Sequence, residues 1–236
     1  LSVEWHEVPV DHTATAVDRD GQGRLFRGGA AMSLAEEARE RRDSLPTRIA
    51  RVLDLVDLHT AKHPDDQLIL WCDLNDEQAA LEKGLAERGL SFSSIYGALD
   101  PDEAERRLDA WRDRQTFALI GKPVMLGQGM NLQQANTCIY AGVSHKFNDF
   151  IQSIHRIQRF GQTRACIAHV VHAESETEIV RSLRDKWTRH KELTSTMTDI
   201  IKAHGLSQAS VAAELTRSLG VDRIEAKGDG WQYANN

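Results

Sequence analysis

A regular alternation of short apolar segments with longer amphipathic segments runs from Gln67 to about residue 203, and it constrains the fold more than any other feature. The apolar segments have the length of buried strands, and the segments between them have helical periodicity. The predicted strands are 68–72, 92–96, 117–120, Thr137–Tyr140 and 166–171, and the predicted helices are 75–88, 101–113, 149–160 and 176–203. Such alternation is typical of βαβ units. We therefore predict an α/β domain with a parallel sheet covered by helices on both faces and with ligands at the carboxyl ends of its strands.

The segments on either side of this alternation are less regular. We interpret residues 1–45 as an N-terminal extension or linker, with a strand predicted over 4–10. The domain is predicted to span 46–206, because Pro46 suits the first turn of a helix. Residues 207–236 are interpreted as a C-terminal tail that carries one helix.

Composition favours an ordinary globular protein. The chain has 236 residues, of which 41% are hydrophobic and 27% charged, and no apolar stretch is long enough to suggest a membrane span. No signal peptide is visible, and the three cysteines lie in predicted strands without a CxxC pair, so a reduced, cytoplasmic protein is expected. Because the net charge is −6, any contact with nucleic acid must come from a local surface.

The histidines are not predicted to bind a metal. His145, His155, His169, His172 and His190 include no HxxxH or HExxH pair, which are the spacings that place two imidazoles on one helix face. Surface or core positions are the expected interpretation for these side chains. No metal site is therefore assigned from the sequence.

Two arginines near the end of a predicted helix are the first candidates for chemistry. Arg156 and Arg159 are three residues apart, so on a helix they share a face near its carboxyl end, and Gly161 then ends the helix. Two planar guanidinium groups on one short face suit a polyphosphate, because each can bind two oxygens at once. A solvated basic helix end, stabilised by the helix dipole, is the alternative that the arginines alone favour.

A glycine-containing loop upstream adds further polar groups. Residues 122–132 connect two predicted strands, and Gly127 and Gly129 allow tight turns and a close approach of a ligand to the backbone. Asn131 adds a donor and an acceptor at a sheet edge where the topology predicts a site. A GxG pattern alone is weak evidence, and it gains weight only in combination with the arginines that follow.

Together these segments resemble the carboxy-terminal RecA-like lobe of superfamily 2 helicases, nearest the Swi/Snf-like translocase branch. Gln152, Arg156, Arg159, Gly161 and Gln162 are similar to motif VI of that family, written QxxxRxxRxGQ. This motif is the specific part of the resemblance.

Three further segments support the resemblance, which extends over residues 46–194 in the family's order. Residues 129–132, with the sequence GMNL, look like motif V, where the branch favours GLNL. The pair Tyr96-Gly97 and the helix containing 105–107 are similar to a segment between motifs IV and V. Residues 68–75 correspond to motif IV.

The resemblance implies a motor lobe that completes an ATP site held mainly by an absent N-terminal lobe of the same polypeptide. Arg159 would be the arginine finger that reaches the γ-phosphate of ATP, with Arg156 assisting, and these two are the candidate catalytic residues. Gln152 would help to position motif VI. ATP with Mg²⁺ is the implied cofactor, shared with the other lobe and not tightly bound by this chain alone.

The same resemblance implies contacts with nucleic acid, for which DNA is the expectation. Gln152, Gly127, Gly129 and Asn131 are the candidate nucleotide-binding residues, and Gly129 and Asn131 would also couple nucleotide to nucleic acid. The candidate contacts with the tracked strand are Tyr96, Gly97, Met130 and Asn131. No membrane contact is expected.

Two departures from the family pattern refine these expectations. Residues 144–150 stand where chromatin remodellers carry a Trp-rich segment, so a bacterial or phage-type helicase is expected. The chain also has no GxxxxGK[ST] phosphate-binding motif, so we expect it to be inactive as an ATPase by itself. The pair Asp76-Glu77 resembles a DExx motif, but helix capping that involves Asn75 and Gln78 is the favoured interpretation.

Two other functions remain as alternatives. One is a non-catalytic nucleic-acid-binding or scaffold domain that keeps the RecA-like fold, although such a domain has no need of Arg156 and Arg159. The other is an unrelated parallel-sheet enzyme, which would require a complete set of catalytic residues within this chain. No such set is apparent in the sequence.

Overall fold

Six parallel strands form the central sheet of the computed structural model, which describes residues 1–10, 41–126, 130–144, 146–159, 161–204, 224–227 and 230–233. The strands are β1 (Ser2–Val8), β2 (Leu68–Trp71), β3 (Phe92–Ile95), β4 (Ala118–Gly121), β5 (Thr137–Tyr140) and β6 (Ile167–Ala173). Their order is β1-β6-β5-β2-β4-β3, and every neighbouring pair is parallel. The predicted parallel α/β architecture is confirmed.

Helices connect the strands as the alternation predicts. They are α1 (Leu45–Lys62), α2 (Asn75–Glu87), α3 (Pro101–Arg112), α4 (Phe147–Ile157) and α5 (Thr177–His204), with a short 3₁₀ helix at Glu174–Glu176. Right-handed crossovers place α1 and α2 on one face of the sheet and α3 and α4 on the other. Pro46 lies in the first turn of α1, as expected, because this position needs no amide hydrogen.

Apolar side chains fill both faces of the sheet. A buried apolar cluster lies between α1, α2 and the first face, and it includes Val52, Val56, Leu70, Leu81, Ile120 and Val171. On the second face, the ring of Tyr140 lies 5.1 Å from that of Phe150, and its hydroxyl is 2.6 Å from Oγ of Ser153. These contacts hold α4 against β5.

Strand β1 is an edge strand of the sheet, although it lies in the segment interpreted as an extension. Its seven residues pair in register with β6, from Ser2 opposite Ile167 to Val8 opposite Ala173. Parallel strands require a long connection, and the 59 residues between Val8 and Leu68 provide it. The predicted domain boundaries themselves stay predictions.

The chain divides into two compact units, Leu1–Arg181 and Ser182–Asn236. The second unit contains an antiparallel pair, β7 (Ile224–Lys227) with β8 (Gly230–Tyr233), where the sequence predicts only a polar end. The helix expected in the tail, at 210–219, lies outside the described residues. Among the helices that the structure describes, none combines the length and the apolar character needed to cross a membrane.

Candidate functional site

Helix α4 ends at Ile157, three residues earlier than the sequence predicts, so Arg159 lies in the turn that follows. Two tertiary hydrogen bonds occupy the last carbonyl groups of the helix. The amide of Leu132 donates to the carbonyl oxygen of Arg156 at 3.1 Å, and Nε2 of Gln162 donates to that of Ile157 at 3.1 Å. These groups are therefore satisfied by a neighbouring loop and turn instead of by further helical amides. The prediction that the two arginines share one helix face is wrong.

Arg156 points into the domain. Its side chain is buried, with 6% of the residue exposed, and Nη1 donates to the carbonyl oxygen of Pro123 at 2.9 Å. The guanidinium carbon lies 5.8 Å from the ring centroid of Trp71, close enough for a cation–π contact. Burial lowers the pKa of this guanidinium from its ordinary value. Arg156 thus holds the loop after β4 to the sheet.

Arg159 lies on the surface, as expected from the sequence. It is exposed, and Nη1 donates to the carbonyl oxygen of Met130 at 3.2 Å. Gln152, one turn before Arg156 on α4, is also exposed. The structure therefore separates the two candidate catalytic residues, one inside the domain and one on its surface.

The turn that carries Arg159 lies at the amino edge of the sheet, whereas the sequence predicts ligands at the carboxyl ends of the strands. Helix α4 leaves the carboxyl end of β5 and returns to the start of β6, so its last residues reach the opposite edge. Consistent with this, Nε2 of Gln162 donates to the carbonyl oxygen of Gln133 at 2.7 Å, just before β5 begins. The direction of the crossover therefore places this turn at the sheet edge opposite to the predicted one.

Gln162 fastens this turn, a role that the sequence reasoning did not assign. Besides its bonds to Gln133 and Ile157, its Oε1 accepts a hydrogen bond from the amide of Arg164 at 3.1 Å. Gly161 precedes it with φ of +93°, a conformation that side chains rarely adopt. The signal in the sequence was the glutamine directly after the glycine of motif VI.

Arg164 is anchored within the fold. Its Nη1 lies 2.7 Å from Oδ1 of Asp66, and Nη2 donates to the carbonyl oxygen of Gln134. About a third of each charged side chain in this ion pair is exposed, at 34% and 30%. Arg164 therefore contributes to stability, in contrast to the surface position of Arg159.

The motif V segment contacts the motif VI turn through its backbone. Met130 supplies the carbonyl that Arg159 binds, and the next residue, Asn131, is exposed with Oδ1 accepting from the amide of Gln133 at 3.1 Å. This short-range bond is typical of an Asn in a turn. Gly127 and Gly129 lie outside the described residues.

The predicted nucleic-acid residues of the other segment lie at the carboxyl end of β3. Tyr96 is 38% exposed, and the guanidinium carbon of Arg107 lies 5.7 Å from its ring centroid. A Cβ on Gly97 would meet Cε of Met125 at 3.5 Å. Gly97 thus faces the beginning of the loop after β4, whereas Asn131 belongs to the end of that loop, before β5.

A buried ion pair explains Glu77, the second residue of the acidic pair at the start of α2. Arg48 and Glu77 are fully buried, with Nη1 2.6 Å from Oε1. The other carboxylate oxygen of Glu77 accepts from the amides of Asp73 and Leu74, at 2.9 and 3.1 Å. The carboxylate therefore caps the helix, although Glu77 performs this role and not Asn75 or Gln78 as predicted.

The parallel sheet and the motif VI turn bound to the loop before β5 together define a RecA-like α/β lobe. Residues 48–161 match the family model described as Helicase conserved C-terminal domain. This segment of the chain is therefore a helicase C-terminal domain, as its motifs predict.

Curated relatives match over a similar segment. The ATP-dependent RNA helicase DBP3 of Gibberella zeae is 24% identical over 118 residues, which are 50% of this chain and 20% of that protein. The ATP-dependent RNA helicase dbp-3 of Neurospora crassa is 27% identical over 97 residues, 41% of this chain and 15% of that protein. The chain thus spans a fifth or less of the length of these relatives.

Solved structures share the fold. Domain 2 of the DEAD-box helicase Mss116p, bound to an RNA duplex, gives a TM-score of 0.54 at 15% identity, covering 60% of this chain and 56% of that chain. The RNA helicase Prp28 from Chaetomium thermophilum, bound to ADP, gives 0.53 at 14% identity, covering 62% of this chain and 35% of that chain. The RecA-like fold is therefore confirmed. The two curated relatives are described as RNA helicases, so they do not confirm the Swi/Snf-like, bacterial or phage branch.

Proposed function

We propose that this chain supplies the second motor lobe of an ATP-dependent helicase or translocase that acts on nucleic acid. In this proposal an N-terminal lobe of the same polypeptide holds the phosphates and Mg²⁺ of ATP. The observation that carries it is the position of Arg159, exposed in the motif VI turn and hydrogen-bonded to the motif V backbone. An exposed guanidinium on a turn held by several hydrogen bonds is suited to reach a γ-phosphate on another lobe.

The two arginines take different roles in this proposal. Arg159 is the arginine finger and stabilises the charge that develops on the transferred phosphoryl group. Arg156 is a positioning residue, because its guanidinium binds the carbonyl oxygen of Pro123 inside the domain. The bonds from Leu132 to Arg156 and from Arg159 to Met130 join the turn to the loop before β5. A movement of Arg159 on lobe closure would therefore be passed to Met130.

We propose DNA as the nucleic acid and a bacterial or phage-type, Swi/Snf-like motor as the source. The support is the sequence of the two motifs, QxxxRxxRxGQ and GMNL, which most resembles the motifs of that branch. The curated relatives, which are described as RNA helicases, make RNA the competing substrate. Exposed Tyr96 and Asn131 are the proposed contacts with the sugar–phosphate backbone. Contacts with the backbone carry little sequence preference.

A cytoplasmic location is part of the proposal. Cys72, Cys138 and Cys166 are free and buried. Burial raises the pKa of Cys72 and of Cys138 to about 12, so these thiols stay protonated and unreactive at neutral pH. Unpaired thiols of this kind suit a reducing compartment.

ATP hydrolysis by one and by two lobes tests the proposal. The 236-residue chain alone should not hydrolyse ATP above background, because its sequence contains no GxxxxGK[ST] motif. A polypeptide that joins it to a lobe carrying that motif should hydrolyse ATP, and duplex DNA should stimulate it more than RNA of equal length. Stimulated hydrolysis by the single chain would disprove the shared site. A two-lobed protein that binds nucleic acid without hydrolysing ATP would favour the scaffold function instead.

A further inference from the structure

Three side chains with metal-binding atoms meet on the face of the sheet that α1 covers. Glu4 and His6 are two residues apart on β1, so their side chains point to the same face, and His169 of β6 stands opposite Glu4 in the strand register. Nε2 of His6 lies 3.1 Å from Nδ1 of His169, and Oε2 of Glu4 lies 3.2 Å from that same nitrogen. All three atoms lie within 4.8 Å of one another.

The two separations from Nδ1 of His169, 3.1 and 3.2 Å, are close to those between ligands of a tetrahedral zinc ion. Bonds of about 2.0 to 2.1 Å at tetrahedral angles place neighbouring ligand atoms about 3.3 Å apart. Two imidazole nitrogens and one carboxylate oxygen also form a donor set that favours zinc over calcium or magnesium. A single shared proton can bridge only two of the three atoms, whereas one cation can bind all three.

We propose that Glu4, His6 and His169 form a binding site for Zn²⁺ or a similar divalent transition metal, with a water molecule as fourth ligand. The carboxylate of Glu4 is 51% exposed and gives the ion access from solvent, whereas the side chain of His169 is only 17% exposed. The metal would link the edge strand β1 to β6 and so stabilise the folded sheet. The site is independent of the proposed motor function, because Arg159 and its turn belong to other elements.

Arg51 of α1 lowers the affinity of this site for the metal. Its Nη2 lies 3.2 Å from Nδ1 of His6, and because a guanidinium only donates, that nitrogen must accept. Without metal, the hydrogen of neutral His6 therefore sits on Nε2. Metal binding at Nε2 requires the opposite tautomer and breaks the bond to Arg51, whose positive charge also repels the cation. Replacing Arg51 by Gln should strengthen metal binding, because the amide oxygen can accept from Nδ1–H, a partner that metal-bound histidines usually have.

The test measures metal affinity of the untagged 236-residue chain after dialysis against a chelator. Zn²⁺ is titrated in competition with a chromophoric chelator, and Co²⁺ is added separately because tetrahedral Co²⁺ absorbs visible light strongly. The wild-type chain should bind one Zn²⁺ and show the cobalt spectrum. His6→Ala, His169→Ala and Glu4→Gln should each weaken Zn²⁺ binding by about 10-fold or more. Removing a residue that only hydrogen-bonds to a metal ligand already weakens metal binding on this scale.

Two further variants make the result decisive. His63→Ala removes an exposed histidine at the end of α1 and should leave Zn²⁺ affinity unchanged. Arg51→Gln should raise the affinity, and this gain cannot arise from a damaged fold. Equal affinity of the wild type and Glu4→Gln, absence of a bound ion in the wild type, or weaker binding by Arg51→Gln would each overturn the proposal.

Discussion

The amide nitrogen of Leu132 donates a hydrogen bond to the carbonyl oxygen of Arg156 at 3.1 Å. This bond joins the two segments that resemble motifs V and VI, and a second one, from Arg159 to the carbonyl oxygen of Met130, joins them again. The two segments are therefore one mechanical unit in which the proposed finger and the proposed nucleic-acid contact share a backbone connection.

Arg159→Ala in a two-lobed protein should lower ATP hydrolysis by roughly 10³-fold or more, the scale typical of arginine fingers. Its melting temperature should change little, because an exposed arginine usually contributes little to stability. Turnover and thermal denaturation measured on the same preparation check both statements. Normal turnover, or a lobe that unfolds, would show that Arg159 is not the finger.

Arg164→Ala is the matched control and should give the opposite pattern. It removes an ion pair with Asp66 and a bond to the carbonyl oxygen of Gln134, so unfolding should become easier by about 1 kcal/mol. Hydrolysis below the melting temperature should stay near the wild-type rate. Asp66→Asn should reproduce the stability loss, which urea denaturation of the wild type and both variants would measure.

Gln162→Ala should destabilise the isolated chain by about 1 to 2 kcal/mol. The carbonyl oxygens of Gln133 and Ile157 lose their donor, and the loss of a hydrogen bond to a partly buried group costs free energy on this scale. Gln162→Glu should cost at least as much, since a carboxylate oxygen would then face those carbonyl oxygens. The free energy of unfolding in urea measures both variants.

The control for this prediction is Gln158→Ala, an exposed glutamine in the same turn. It should change the free energy of unfolding by less than about 0.5 kcal/mol, as surface substitutions usually do. Equal losses for Gln158→Ala and Gln162→Ala would mean that the turn is not fastened by the amide of Gln162.

Arg48→Met should cost about 3 to 5 kcal/mol, because it leaves the carboxylate of Glu77 buried without its partner. Adding Glu77→Gln should recover part of that loss. The amide oxygen can still accept from the amides of Asp73 and Leu74, and no unpaired charge remains in the core. Denaturation of the two single variants and the double variant tests this coupling. Additive losses would show that the pair is not coupled.

Residues close together in the sequence determined the elements of this fold. Apolar segments such as 68–72 and the stripe of α1 at Ile49, Val52, Leu53 and Val56 predict buried strands and helices, since burial follows the local period of hydrophobic residues. The order of those elements was enough to predict a parallel sheet. Motif VI identified Arg156 and Arg159 as candidates without any structure.

Tertiary structure alone decided what those side chains contact. Helix α4 ends at Ile157 because Leu132, 24 residues before Arg156, supplies the amide that binds its carbonyl group. Arg156 is buried because the loop after β4 passes over it, and His6 meets His169 because β1 pairs with β6, across 163 positions of sequence. Local periodicity carries no information about such partners. Hydrogen bonds and ligand sites depend on atoms that only the folded sheet brings within about 3 Å of one another.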